Sequence, residues 1–118
     1  MRSHGAVASY ALGDEVWEAV AADWRTAPLR PQLAAVLAFL EKLTLRPEHV
    51  GPADAEAVHA ARVSDEALRD AVTVCALFSM IVRLADSLGW DVPSPDRFRR
   101  RAAAMLEGGY ALEAVSGR

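Results

Sequence analysis

The sequence has 118 residues, of which 53% are hydrophobic, and a formal net charge of -3. This length suits one domain, and the high alanine and leucine content with few β-branched alternations predicts an all-α protein, a compact multi-helix domain over residues 1–118. The negative charge gives no general reason to expect a nucleic-acid partner. The single cysteine excludes an internal disulfide and any metal site that needs several thiolates from one chain.

The N-terminal region combines a short apolar helix with a second, amphipathic one. It lacks the apolar core that follows the basic start of a secretory signal, so we expect a cytoplasmic protein. Residues 4–12 form the first helical segment, which Gly13 ends, and Asp14 is predicted to cap the second. Two tryptophans on one face can form a ligand platform, but packing is the commoner use of such residues. The apolar face comprises Val16, Trp17, Val20, Ala21 and Trp24.

A third helix is predicted from Pro31, because proline suits the first helical position, where its missing amide costs nothing. Arg46 should end this helix, since the residue before Pro47 is pushed out of the helical region. One amphipathic face should pack on the longest helix of the chain, and Glu41 and Lys42 should lie outside. The face comprises Leu33, Val36, Leu37, Leu40 and Leu43.

A weaker fourth helix is predicted to begin at Pro52, between His49 and His59. A two-histidine metal site would need carboxylates or further histidines at ligand spacing. Two histidines ten residues apart, with Glu48, Asp54 or Glu56 nearby, are a weak indication of such a site, and we predict no metal. The apolar face of this helix is small and comprises Ala57, Val58 and Ala61.

One long central helix, over residues 64–89, is the element around which the chain is organised. Ser64 can accept a hydrogen bond from a free backbone amide as the N-cap residue, and Asp65 and Glu66 place negative charge in the first turn. Gly89 can adopt the left-handed conformation that commonly follows a last helical turn. The start and the end of this helix are therefore both marked in the sequence.

The central helix is apolar on two sides. A helix of this kind needs two partners, and a short chain has few helices to spare, so we expect a homo-oligomer. A membrane span is the competing interpretation, but the uncharged residues 71–82 fall short of the roughly 20 that a bilayer requires, so we predict no membrane. One stripe comprises Ala71, Val74, Cys75, Phe78, Val82 and Ala85. The other comprises Leu77, Met80, Leu84 and Leu88.

Two polar positions of the central helix carry separate predictions. Cys75 lies in the most apolar stretch of the chain and is expected to be a buried core residue without a partner thiol. Arg83 is expected to be ion-paired, with Asp86 or with a carboxylate of a neighbouring helix, because an unpaired charge on so apolar a helix is costly.

A last helix is predicted from the cap residue Ser94 and Pro95 to the glycines at 108 and 109. It carries the basic cluster of the chain, which is more typical of a solvated face than of a phosphate site. The cluster comprises Arg97, Arg99, Arg100 and Arg101. The residues predicted to be buried are Phe98, Ala102, Met105 and Leu106.

Two stretches, residues 23–50 and 63–90, carry a family pattern. In the first, the pattern residues are Asp23, Ala27, Leu29, Phe39, Lys42, Leu43, Thr44 and Pro47. In the second, they are Ser64, Asp65, Ala71, Val72, Phe78, Arg83, Ala85, Asp86, Leu88 and Gly89. On these residues the chain, over roughly residues 4–92, resembles the alkylhydroperoxidase D-like proteins of the carboxymuconolactone decarboxylase superfamily, in particular their peroxidase-related branch. It departs from them at Ser79 and Val82, where family members often carry asparagine.

The resemblance implies a helical oligomer, a trimer or a hexamer, that reduces a small hydroperoxide through a Cys-x-x-Cys-x-x-x-His motif and needs no cofactor. It places His4 at the motif histidine, as the catalytic residue that takes or relays a proton. The second motif cysteine would fall just before Met1 and the first three residues further back, and the 118 residues contain neither. We expect the reading frame to continue upstream of Met1 and to encode this pair.

Three functions of different class follow from these observations. The first is a dithiol peroxidase whose 118-residue sequence starts inside the active-site motif. The second is a cysteine-free relative that keeps the helical oligomer as a binding or structural module. The third is acid–base chemistry on a lactone, as in the decarboxylase side of the superfamily, with His4 as general base.

Overall fold

The computed structural model describes residues 2–91 and 94–109. These residues form six α-helices and one 3-10 turn and contain no strand, which confirms the all-α prediction. The helices are α1 (Arg2–Leu12), α2 (Asp14–Asp23), α3 (Pro31–Leu45), α4 (Pro52–Ala60), α5 (Asp65–Leu88) and α6 (Pro95–Gly108), and the 3-10 turn is Pro47–His49. For eight helical residues the structure describes the backbone but not the side chain: Arg2, Ser3, His4, Ala6, Pro95, Phe98, Ala103 and Ala104.

The chain divides into two compact units, Met1–Pro28 with Asp91–Arg118, and Leu29–Trp90. Helices α1, α2 and α6 belong to the first unit, and the 3-10 turn, α3, α4 and α5 to the second. The prediction of a single domain over residues 1–118 stays a prediction.

In the first unit, α1 packs on both α2 and α6. Gly5 is buried at the contact with α2, where a Cβ atom would lie only 2.5 Å from Cζ2 of Trp17. Glycine at this position therefore lets the tryptophan ring lie directly against the backbone of α1. Trp17 and Trp24 were expected to pack, and Trp17 does so through this contact.

The junction between α1 and α2 differs in one detail from the sequence prediction. Gly13, with φ of 89°, occupies the N-cap position of α2, and no side chain caps this helix. Asp14 is the first helical residue, and its carboxylate accepts a hydrogen bond from Ser9 Oγ. The prediction that Asp14 caps α2 is wrong because its carboxylate binds the preceding helix instead.

Helix α6 begins and ends where the sequence signals place it. Ser94 Oγ accepts a hydrogen bond from the backbone amide of Arg97 at 3.4 Å, and Gly109 follows the last turn with φ of 65°. Of the residues predicted to be buried, Ala102 is buried and Met105 is half-buried. Leu106 is 45% exposed, so that part of the prediction is wrong. The side chain of Phe98 lies outside the described residues, as does the chain after Gly109.

In the second unit, α3 contacts both α4 and α5, so its predicted packing on the long helix is confirmed. Val58 of α4 is 1% exposed, and Val63, just after α4, is 8% exposed. The backbone amide of Val63 reaches the carbonyl of Val58, and that of Arg62 reaches the carbonyl of His59. These two bonds define a Schellman motif, which typically joins its two flanking apolar residues. The motif accounts for the burial of both valines.

Lys42 and Asp54 connect α3 to α4. Lys42 Nζ lies 2.6 Å from Asp54 Oδ1, and Asp54 Oδ2 accepts a hydrogen bond from the backbone amide of Gly51 at 2.8 Å. The carboxylate therefore closes the first turn of α4 and binds the neighbouring helix at the same time. Glu41 and Lys42 were predicted to lie outside, but both are half-buried because α4 lies beside this part of α3.

Helix α5 has the two predicted terminal residues. Ser64 Oγ accepts a hydrogen bond from the amide of Ala67 at 3.2 Å, and Gly89 is left-handed, with φ of 63° and ψ of 38°. The amide of Trp90 reaches the carbonyl of Ala85 at 3.0 Å, which completes the C-terminal motif. No described residue of α5 is fully buried, although this is the longest helix of the chain.

Candidate functional site

The candidate catalytic residue His4 belongs to α1 by its backbone, and its side chain lies outside the described residues. The catalytic role predicted for His4 stays a prediction.

Cys75, the single thiol, lies on the side of α5 that faces α3. Its Sγ is 3.7 Å from Thr44 Oγ1, and that hydroxyl donates to the carbonyl of Leu40 at 2.7 Å. Since the threonine proton is used in the second bond, the thiol is the donor in the first. Cys75 is half-buried rather than fully buried, which corrects the expectation of a core residue. The contact between Cys75 and Thr44 joins α5 to α3.

The two histidines of the second unit lie in separate contacts. His49 Nδ1 is 2.9 Å from Glu48 Oε1 in the exposed 3-10 turn. His59 Nδ1 is 3.1 Å from the carbonyl of Val63, and its Nε2 is 3.1 Å from Asp65 Oδ1. His59 thus joins the end of α4 to the start of α5. Within residues 2–91 and 94–109, no three histidine, cysteine or acidic side chains are grouped as a metal site would need.

The aromatic and basic positions singled out in the sequence have ordinary surroundings. Trp24 is half-buried, and the guanidinium of Arg25 lies 5.0 Å from its ring centroid, in the arrangement of a cation–π pair. The basic cluster of α6 is exposed except at Arg101, which is half-buried.

Arg83 of α5 is exposed, and its Nη1 donates to the carbonyl of Ser79 one turn earlier, at 3.3 Å. The prediction of an ion pair with Asp86 is wrong. The guanidinium reaches water along the outer side of the helix, so it needs no carboxylate to offset burial.

The most conspicuous surface of the described residues is an apolar strip along α5. Five side chains recur at spacings of three, four, three and four residues, and each is about half exposed or more. We call this strip the α5 seam. It comprises Val74 (64% exposed), Leu77 (57%), Ile81 (45%), Leu84 (51%) and Leu88 (63%).

The sequence prediction missed part of the α5 seam. Val74 was assigned to the stripe that contains Cys75 and Phe78, but those two are half-buried and Val74 is exposed. Ile81 was assigned to neither stripe. The alternation of three- and four-residue spacings is the signal that would have found both, because it marks the heptad pattern of paired helices.

Helix α5 is also the one described helix whose length and apolar composition would let it cross a membrane. This finding rests on the length and composition of the helix alone. The uncharged residues 71–82 span about 18 Å at the rise of an α-helix, against the roughly 30 Å of a bilayer core. Arg69 and Arg83 lie on either side of them.

Comparisons with known proteins do not assign the chain to a family. No family model matches the sequence, and no curated protein matches it. The resemblance to alkylhydroperoxidase D-like proteins therefore stays a prediction that rests on the residue pattern described above.

Proposed function

We propose that this chain is a self-assembling helical module, whose function depends on a homo-oligomer rather than on thiol chemistry within its 118 residues. One observation carries the proposal. Three apolar residues are buried among the described ones, Val58, Val63 and Ala102, whereas twelve large apolar side chains are exposed. Seven of those twelve lie on α5. Contiguous apolar patches of several hundred Å² on a protein surface often mark an interaction site.

The proposal includes an origin among the alkylhydroperoxidase D-like peroxidases, an oxidoreductase family with antioxidant roles. The residue pattern of the two stretches, residues 23–50 and 63–90, supports this origin. In this proposal the helical assembly is retained, as a trimer or hexamer or as a smaller form, and the redox step requires cysteines other than Cys75. The surroundings of Cys75, which contacts Thr44 and lies in mid-helix, support that separation.

Sedimentation equilibrium over a range of micromolar concentrations tests the proposal. We expect a mass that is a multiple of the 12.7 kDa chain and that falls on dilution. A 12.7 kDa species alone, at every concentration up to about 100 μM, would refute self-assembly. A contact whose dissociation constant is larger than about 100 μM has only a small free energy of association.

A further inference from the structure

We infer that the α5 seam is a two-fold contact, in which α5 of one chain pairs with α5 of a second copy in antiparallel orientation. This inference rests on the proposed self-assembly and names the surface that produces it. A two-fold contact occurs in dimers and in hexamers with three-fold and two-fold axes, but not in a simple trimer.

The residue types of the α5 seam fit a pair of helices. In heptad terms Val74, Ile81 and Leu88 occupy the a positions, and Leu77 and Leu84 occupy the d positions. Apolar residues that alternate between a and d positions form the row by which one helix packs against another through knobs-into-holes contacts. The pattern therefore indicates a helical partner.

The positions that flank the seam do not interrupt it with charge. The e and g positions between residues 71 and 87 carry no charge, and Met80 among them is 55% exposed. The charged residues of this part of α5, Arg83 and Asp86, occupy the c and f positions, away from the seam, and Arg83 donates to the carbonyl of Ser79 of its own helix. An uncharged strip bordered by polar positions is the amphipathic pattern of a helix that packs against another, whereas a lipid-crossing helix is apolar on all sides. The flanking residues are Ala71, Thr73, Phe78, Met80, Ala85 and Ser87.

The area of the seam is sufficient for a weak dimer. Five seam side chains and Met80, each about half exposed, present about 500 Å² of apolar surface on one chain. Two copies together would bury about 1,000 Å², which is near the lower limit for specific interfaces. We therefore expect a dissociation constant of about micromolar size at this contact.

The distribution of charge along α5 selects the antiparallel orientation. Asp65, Glu66 and Asp70 against Arg69 leave the N-terminal end with two excess negative charges, whereas Arg83 and Asp86 balance each other near the C-terminal end. Asp70 also precedes Val74 by four residues and so continues the row of the seam. Parallel helices would place Asp70 against its own copy, which is unfavourable, and would align the two helix dipoles. Antiparallel helices separate the two acidic ends.

Disulfide trapping tests the orientation. In a Cys75→Ser background, Val74→Cys and Leu84→Cys are made separately, on chains that differ in mass by a tag, then mixed and oxidised with diamide. An antiparallel seam places Val74 beside Leu84 of the second copy, so we expect the mixed disulfide in excess of either homodisulfide. A parallel seam would give the Val74→Cys homodisulfide instead and would overturn the orientation. The control is Leu45→Cys, at an exposed leucine of α3 outside the seam, which should not cross-link.

Charge substitution tests the surface itself. We expect Leu77→Glu and Leu84→Glu to weaken self-association by about 30-fold or more in sedimentation velocity, the effect of losing a central interface residue. Leu45→Glu, which replaces a leucine that is 69% exposed outside the seam, should leave the association unchanged. Circular dichroism at low concentration checks that the variants remain helical.

The outcomes separate this inference from the proposal on which it rests. If the wild-type chain self-associates and both seam variants do so equally well, the seam is not the contact, although self-assembly stands. If the wild-type chain is monomeric throughout, self-assembly itself fails. Flotation with phosphatidylcholine vesicles is the third measurement. Wild-type flotation that Leu77→Glu abolishes would overturn the inference in favour of a lipid surface.

Discussion

At the scale of single residues, Arg62 is the described non-glycine residue with a left-handed backbone, at φ of 64°. The Schellman motif at the end of α4 requires this conformation, and the amide of Arg62 donates to the carbonyl of His59 within it. A side chain in this region costs about 1 kcal/mol, whereas glycine adopts it freely. The exposed guanidinium of Arg62 gives the fold no buried contact that would offset this cost.

We therefore expect Arg62→Gly to raise the free energy of unfolding by about 0.5 to 1 kcal/mol, measured by urea denaturation monitored by circular dichroism. Arg69→Gly is the matched control, since it replaces another exposed arginine, one that lies in the second turn of α5 with helical backbone. It should lower the free energy of unfolding by about 1 kcal/mol, the usual difference in helix propensity. A loss of stability at both positions would contradict the role assigned to the left-handed residue.

At the scale of elements, the ion pair between Lys42 of α3 and Asp54 of α4 predicts a pH dependence. The hydrogen bond from Lys42 lowers the pKa of Asp54 below its ordinary value of 3.8, and the hydrogen bond from the Gly51 amide adds to the effect. A carboxyl group whose pKa is lower in the folded than in the unfolded state contributes stability that is complete above the unfolded value. That contribution is lost as the pH falls below 3.8 through the folded value.

Urea denaturation of the wild type and of Asp54→Asn, at several values between pH 6 and pH 2, measures this contribution. We expect the difference in unfolding free energy between the two proteins to be constant near neutral pH and to shrink at the acid end. Asp23→Asn is the control, because Asp23 pairs with Arg25 only two residues away and both side chains are about half exposed. Such an exposed pair contributes little, so this variant should follow the wild type throughout. A constant difference for Asp54→Asn down to pH 2 would contradict the assignment.

The ends of the elements were predictable from sequence because their signals are local. Ser64 and Gly89 mark α5, and Ser94 marks the start of α6, through hydrogen bonds to residues at most five positions away. The errors concern contacts between elements. Asp14 binds Ser9 of the preceding helix, and Lys42 lies against α4, and neither contact follows from helical periodicity.

The distinction between local signals and contacts between helices also applies to the candidate site. Val74 directly precedes Cys75, so helical periodicity alone does not decide which apolar side of α5 it belongs to. The position of α3 decides that Cys75 is covered and that Val74 is exposed. The exposure of Leu106 and Arg83 likewise depends on which helix lies nearby. Amphipathic pattern predicts that α5 has two apolar sides, and it leaves open which of them the chain itself covers.

At the scale of the whole molecule, the position of Cys75 predicts how the assembled protein responds to a peroxide. Dithiol reduction needs two thiols whose Cα atoms approach to about 6 Å. Each chain supplies one, and it contacts Thr44 of α3, on the side of α5 away from the seam. The proposed pairing of two chains through the seam would therefore keep two Cys75 residues apart, and we expect it to create no dithiol site within these 118 residues.

We expect the assembled chain, given an organic hydroperoxide and dithiothreitol, to consume no more hydroperoxide than a heat-treated control. Cys75→Ser should leave that rate unchanged and should lower the free energy of unfolding by about 1 kcal/mol, because it replaces a half-buried group that joins α3 to α5. Thr44→Val, which removes the hydroxyl partner of the same contact, is the matched variant and should lower stability by a similar amount. Turnover that Cys75→Ser abolishes and Thr44→Val preserves would show instead that this thiol is a reactive centre in the assembled protein.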